Sequence, residues 1–334
     1  VANLTAAGFG IGDRDRLLQV VPMFHANGWG FPYAAWLAGA SLILPGRHLH
    51  PDVLAPLIAA ERPTVSGGVP TVWRGVFDYA RDHDIDLTSL RVISCAGSAV
   101  PEALLRDYVG LGIEMYQAWG MTETSPLAAI ARPPAFDHGR DEWHWRTRTG
   151  RPVPGVEVRT VAEDGSVLPA DGESVGELEV RGPWVTGAYH GGVGEEKFRD
   201  GWLRTGDMGT VDSAGFMKIT DRLKDLIKSG GEWISSTELE NLLTSHPDVA
   251  EVAVIAIPDA RWEERPLAIV VRRPGADVTD RELRDHVREH VAKWQSPEHW
   301  SALEVIPKTG VGKIDKQLLR AQVADGTLTY TTLA

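Results

Sequence analysis

Residues 91–117, RVISCAGSAVPEALLRDYVGLGIEMYQ, decide how the fold is read. Arg91 to Cys95 is a short run of β-forming residues, and Ile113 to Gln117 is a second. Between them, Pro101 to Leu111 reads as an amphipathic helix. The same rhythm runs upstream. Arg16 to Val21, Ala40 to Leu44 and Thr64 to Ser66 read as strands, and Pro51 to Glu61 and Pro70 to Arg81 as helices that open on proline, which suits a first helical position. Strands alternating with helices predict an α/β fold with a largely parallel sheet.

Downstream the pattern changes near Ile130. Residues 132–148 are rich in Pro, Trp and charge and predict a long surface loop. Short β segments follow at Val156–Val161, Gly176–Arg181, Trp202–Arg204 and Gly215–Thr220, with a hairpin-type turn at Asp164-Gly165. A third region begins near Asp221. Ser235 to Glu238 and Thr279 to Glu282 both have capping-box spacing, predicting helices to about Ser245 and Trp294. Val249–Ile257 and Leu267–Arg272 read as strands, and Lys313–Val323 as a final helix.

The 334 residues suit two or three domains. A net charge of -12 argues against nucleic acid or anionic lipid as the main partner. No apolar run approaches the ~20 residues that span a bilayer, and no secretory signal is evident. The one cysteine, Cys95, excludes an intrachain disulfide and agrees with a cytoplasmic location.

Four segments carry candidate chemistry. Gly97-Ser98-Ala99 lies between a strand and a helix, where small residues let backbone approach a flat ligand, although an ordinary turn has the same composition. Tyr116 to Thr124, YQAWGMTET, also follows a strand; it offers an aromatic face, a hydroxyl and a carboxylate that suits Mg²⁺. Trp202 to Asp207, WLRTGD, and Asp221 to Asp225, DRLKD, hold carboxylates able to accept ribose hydroxyls, or are simply solvated charged turns. Pro307 to Lys316, PKTGVGKIDK, places lysine among glycines, a mobile loop able to deliver a point charge.

Taken together, VPMFHANGWG, YQAWGMTETSP, WLRTGD, DRLKDLIKSGGEWIS and PKTGVGKIDK resemble, in order, the motifs of the adenylate-forming enzymes. Trp119 and GGEWIS most resemble fatty acyl-CoA synthetases of medium- and long-chain type. The resemblance implies part of a large N-terminal domain over residues 1–222, made of an α/β sheet and a small β subdomain at about 150–222. A small mobile α+β domain would follow over residues 223–334.

It also implies ATP, Mg²⁺ and coenzyme A as co-substrates. A fatty acid would be activated to an acyl-adenylate and then to acyl-CoA. Gly97, Ser98, Ala99, Trp119, Gly120 and Ile219 would belong to the nucleotide site, with Trp119 stacked on the base. Thr122 would meet the α-phosphate and Glu123 would hold Mg²⁺. Asp207, with Arg222, would bind the ribose. Lys313 would steady the charge built up during adenylation, and His25 would mark where the acyl pocket meets the adenylate. Lys224 would be the hinge, and Gly230 and Gly231 would let the pantetheine arm pass.

The phosphate loop expected before VPMFH is absent from the sequence, which starts at Val1. The expectation is therefore a fragment of a ligase, with unpaired sheet edges and exposed core. A nucleotide-binding remnant without catalysis, an aryl or amino-acid adenylating enzyme and a luciferase-like oxidase stand as alternatives. A homodimer and peripheral membrane association are left open.

Overall fold

Adjacent residues Leu17 and Leu18 point to opposite faces of one strand, and both are buried. Val92 and Ile93 repeat the arrangement. Strands apolar on both faces need cover on both, which is why they read as continuous hydrophobic runs.

The computed structural model describes residues 8–135, 139–310 and 312–333. Two compact units emerge, Val1–Thr205 with Gly209–Ile219, and Gly206–Met208 with Thr220–Ala334. The first holds a seven-stranded sheet: β1 (Arg16–Gln19), β2 (Ser41–Ile43), β3 (Val65–Gly68), β4 (Val92–Cys95), β5 (Glu114–Gly120), β6 (Leu127–Ile130) and β7 (Arg151–Pro152). Their order is β2-β1-β3-β4-β5-β6-β7. The first five are mutually parallel, while β6 and β7 are antiparallel additions. Helices α1 (Phe31–Ala38), α2 (Pro51–Glu61), α3 (Pro70–Asp82) and α4 (Glu102–Gly110) connect the parallel strands.

Leu54 and Ile58 of α2, Trp73 and Val76 of α3, and Leu104, Leu105 and Tyr108 of α4 cover one face, meeting Leu18, Ile93 and Met115. Phe31, Ala34 and Ala35 of α1 cover the other, meeting Leu17, Val65 and Val92. Gly67 is required by this packing, because a Cβ there would stand 2.5 Å from the Phe31 ring. Trp36 on α1 is 84% exposed, and Leu44, just past edge strand β2, is 65% exposed.

Between β1 and α1 the backbone turns left-handed. Ala26, Asn27, Gly28, Trp29 and Gly30 all have positive φ, between 44° and 73°. For the three that are not glycine this costs roughly 1–2 kcal/mol each. Buried Gln19 secures the turn, its Nε2 donating to Val21 O at 2.6 Å and Gly28 O at 3.2 Å. A Cβ on Gly28 would strike that same nitrogen at 2.5 Å.

The expected loop at 132–148 is not all surface loop. Residues 136–138 lie outside the described residues, but α5 (Glu142–Arg146) is a helix capped by Asp141. Trp145 is 3% exposed against Phe216, ring centroids 4.6 Å apart, and buried Arg146 pairs with Glu114 at 2.9 Å. Charge and tryptophan marked burial through ion pairs there, not solvent.

A second sheet joins β8 (Glu157–Val161), β9 (Gly176–Arg181), β10 (Phe198–Arg199), β11 (Trp202–Val211) and β12 (Met217–Arg222). Strand β11 runs seven residues beyond the predicted end at Arg204, so Asp207 sits inside a strand rather than in a solvated turn.

The second unit has a six-stranded sheet of β13 (Ile227–Ser229), β14 (Glu232–Ile234), β15 (Val249–Asp259), β16 (Glu263–Arg272), β17 (His299–Ala302) and β18 (Thr331–Thr332). Helices α6 (Ser236–Thr244), α7 (Asp280–Arg288) and α8 (Lys316–Ala324) belong to it. Leu239, Leu243, Leu283 and Val287 pack on one face of β15 and β16, and Ile306 and Leu319 on the other. Thr279 and Glu282 form the expected capping box, and Ser235 caps α6. Helix α7 stops at Arg288 rather than Trp294, because after Arg288 the chain breaks into turns, with Gln295 N–H donating to Ala292 O.

Candidate active site

Every first-unit residue singled out from sequence, except Ile219, follows the carboxyl end of a parallel strand or lies at it. This is the edge where open α/β sheets bind ligands. His25 follows β1, beside the place where the strand order reverses between β1 and β3. It is half-buried and meets Trp29 edge-on, ring centroids 6.4 Å apart. Of the apolar residues near it, Phe31, Ala34 and Ala35 are spent on core packing, whereas Phe24 is 76% exposed.

Strands β4 and β5 are adjacent, with Cys95 opposite Gln117, so their two turns leave the sheet side by side. Val100 N–H donates to Gln117 Oε1 at 2.9 Å, tying the first turn to the second strand. Gly97 takes a φ of +94°, which presents its backbone at the surface; Ser98 is exposed and Ala99 half-buried. Trp119 stands within β5, half-buried against Ala129, Leu178 and Met217, so part of the ring is committed to the core. Gly120 admits no side chain, since a Cβ would meet Pro126 O at 1.7 Å.

Residues Thr122–Thr124 form a 3-10 turn. Met121 N–H donates to Thr124 Oγ1 at 2.8 Å, which holds the turn shut and leaves Thr122 exposed. The Tyr189 hydroxyl donates to Glu123 Oε1 at 2.7 Å, and Thr186 N–H donates to Glu123 O at 2.8 Å. Burial and the Glu123 carboxylate push the Tyr189 phenol up to about 12. Tyr189 was not foreseen; it lies 66 residues away in sequence, and no local pattern flags it. A fixed carboxylate next to an exposed hydroxyl is a hard oxygen donor set that fits Mg²⁺. Ile219 lies apart on β12, its N–H donating to Thr149 Oγ1 at 2.9 Å.

In the second unit Asp207 is 3% exposed, and Arg222 Nε approaches its Oδ1 at 3.2 Å. Leu223 N–H donates to Gly206 O at 2.8 Å, which keeps the two segments in register. Lys313 lies within electrostatic reach of this pair. Burial first, then the Arg222 charge, lower its ammonium below the ordinary lysine range, and Asp207 offsets part of this. Lys313 precedes helix α8 rather than opening it. Asp315 caps α8 at Leu318 N–H, and Thr309 N–H donates to Lys313 O at 2.7 Å in a closed turn. Val311 of that segment lies outside the described residues.

A network built on Asp221 was also not foreseen. Asp221 Oδ2 accepts from Ser236 Oγ at 2.7 Å, and Lys316 Nζ donates to the same Ser236 Oγ at 2.8 Å.

Lys224 occupies a turn in which Asp225 N–H donates to Arg222 O at 2.8 Å, and Arg320 pairs with Asp225 at 2.6 Å. Gly230 and Gly231, at φ of +63° and +87°, form the two-residue loop between β13 and β14. That hairpin by itself demands both glycines.

Two family models match the chain: AMP-binding enzyme over residues 1–190, and AMP-binding enzyme C-terminal domain over residues 238–313. A long-chain-fatty-acid–CoA ligase of Thermus thermophilus is 44% identical over 94% of this chain and 59% of its own length. A 3-methylmercaptopropionyl-CoA ligase of Ruegeria pomeroyi is 42% identical over 95% and 59%. The crystal structure of an anthranilate CoA ligase in complex with anthranoyl-AMP superposes with a TM-score of 0.85 at 28% identity, over 97% of this chain and 63% of that one. The chain thus spans about six-tenths of the length of the relatives it matches.

Proposed function

Because this chain belongs to the AMP-binding enzyme family and has the adenylate-forming fold, we propose that it is the larger part of an acid–CoA ligase acting on a medium- or long-chain fatty acid. The observation that carries the reading is the grouping of Lys313 with Arg222 and buried Asp207 in the second unit. A cation within electrostatic reach of a carboxylate–guanidinium pair is what a site needs when it binds a ribose and neutralises charge on the attached phosphate.

In the first half-reaction a substrate carboxylate oxygen attacks the α-phosphorus of ATP, and pyrophosphate leaves. In the second, the thiol of coenzyme A attacks the acyl carbon, AMP leaves, and the thiol proton is released. Little covalent work falls to the protein, which positions the reactants and neutralises charge. Thr122 donates to the α-phosphate, and Asp207 accepts the ribose hydroxyls while Arg222 holds its carboxylate. Gly97 to Ala99 and the Trp119 ring receive the adenine. Lys313 serves adenylation, and Gly230-Gly231 the thioester step after a change of backbone at Lys224. Glu123 would hold Mg²⁺, which would supply charge neutralisation at the phosphates.

Fatty acids are favoured because relatives named for long- and medium-chain substrates match at 44% and 43% identity. The Ruegeria relative argues for including short thioether acids among the substrates tried.

The test is pyrophosphate release with ATP, Mg²⁺ and acids from 3-methylmercaptopropionate to long-chain fatty acids, on this chain alone and on a version extended to the relatives' length. Release from the extended protein, followed by a CoA-dependent thioester, is the expected result. ATP binding without release from either would favour a nucleotide-binding remnant.

A further inference from the structure

His286, Glu289 and His290 lie at the carboxyl end of α7, spaced i, i+3 and i+4. One ring nitrogen of each histidine and one Glu289 oxygen all lie within 4.8 Å of one another. Half-buried His286 is anchored, while Glu289 and His290 are exposed.

The hydrogen bonds around His286 set its tautomer. Its Nε2 faces Leu242 O at 3.1 Å and Ser245 Oγ at 3.1 Å. Ser245 Oγ itself donates to Leu242 O at 2.7 Å, so its proton is already used. A carbonyl oxygen only accepts, hence Nε2 carries the imidazole proton and Nδ1 keeps the lone pair. Metal-ligating histidines typically show this arrangement, donating one ring N–H to a backbone carbonyl while the other nitrogen binds the ion.

The neighbouring His246, ring centroid 5.3 Å from that of His286, is set the other way. Its Nδ1 accepts from Asp248 N–H at 3.2 Å, so its proton sits on Nε2 and no lone pair is left to offer.

We propose that His286, Glu289 and His290 form a surface site for a borderline divalent metal ion of the Zn²⁺ class, with three protein ligands and a fourth position for water. Two imidazoles with one carboxylate select Zn²⁺, Ni²⁺ or Cu²⁺ over Mg²⁺, which takes oxygen donors. The donors already lie within 4.8 Å of one another, and side-chain rotation can close them around one ion at the ~2.0–2.2 Å ligand distances of zinc. The position adds to the fit, since a cation beyond the last turn of a helix meets the negative end of its dipole. Bound there, the ion clamps the Glu289-His290 turn to the end of α7. The site is independent of the ligase reading and of the Mg²⁺ that Glu123 would hold.

The test is isothermal titration of untagged, chelator-treated protein with zinc chloride in millimolar Mg²⁺. One zinc per chain is expected, with His290→Ala and Glu289→Gln each weakening it at least tenfold and His246→Ala leaving it unchanged. Both diagnostic side chains are exposed, so circular dichroism should show intact folding. Failure of the parent protein to bind zinc below 100 µM (roughly the weak end of a useful site), or equal affinity in the His290→Ala and Glu289→Gln proteins, would overturn the proposal.

Discussion

Lys316 Nζ lies 2.7 Å from Glu240 Oε1, and both side chains are largely enclosed, at 15% and 18% exposure. Burial raises the Glu240 carboxyl above its ordinary range, and the Lys316 charge offsets part of that rise. Removing one partner strands the other. Lys316→Met should therefore destabilise the second unit by about 1–3 kcal/mol, and Lys316→Met with Glu240→Gln should recover most of the loss.

The same pair gives a pH dependence with a defined sign. A carboxyl whose folded pKa is raised is bound to its proton more tightly when folded, so its contribution favours stability at low pH. That contribution fades as pH rises from the ordinary glutamate value through the folded one. In Lys316→Met the window moves upward, and urea midpoints at pH 5 and pH 8 should show the larger deficit at pH 8.

Lys313 should separate activity from stability. Its ammonium is lowered by burial and by Arg222, so carrying the charge is unfavourable to the fold. Between the lowered value and the ordinary lysine range the unfolded chain binds more protons, and stability rises with pH there. Lys313→Met should leave the melting temperature at pH 7 unchanged or higher, yet reduce adenylation at least 100-fold in a protein of the relatives' length. Thioester formation from supplied acyl-adenylate should fall far less, and equal losses in both steps would remove Lys313 from adenylation.

Tyr189→Phe deletes the hydroxyl that donates to Glu123. The carboxylate then loses its orientation but not its charge. The Mg²⁺ concentration needed for half-maximal pyrophosphate release should rise about 3- to 10-fold, on the order of one ordinary hydrogen bond. An unchanged Mg²⁺ requirement would place Glu123 away from the metal.

At Gly120 a methyl group would enter the space of Pro126 O. Gly120→Ala should cost about 2–4 kcal/mol of stability by displacing the turn that carries Thr122 and Glu123. At Lys224, by contrast, a change to proline should slow thioester formation and spare adenylation, read by the two half-reactions assayed separately.

Much of the parallel sheet was legible because its strands are apolar on both faces and its helices open on proline; α2 matches its expected bounds, Pro51 to Glu61. Legibility fell where burial depends on partners distant in sequence. Arg146 reads as surface charge until Glu114 is placed beside it, and Asp207 reads as a turn until β11 is seen to continue. Lys313 was found by its glycines, but its surroundings were not, because Asp207 and Arg222 come from other segments. Gly230-Gly231 was legible as a motif, although the hairpin accounts for the pair without a ligand.

The left-handed turn from Ala26 to Gly30 bears on how the protein can be altered chemically. A conformation costly for an L-residue is relaxed for its mirror image. Placing D-alanine at position 26 by semisynthesis would fit the existing backbone and relieve what Ala26 now endures, whereas the same exchange in α2 would break a helix. Five consecutive residues of inverted handedness beside His25 thus form a short stretch where the chain's own chirality works against its shape, and where Gln19 supplies the restraint.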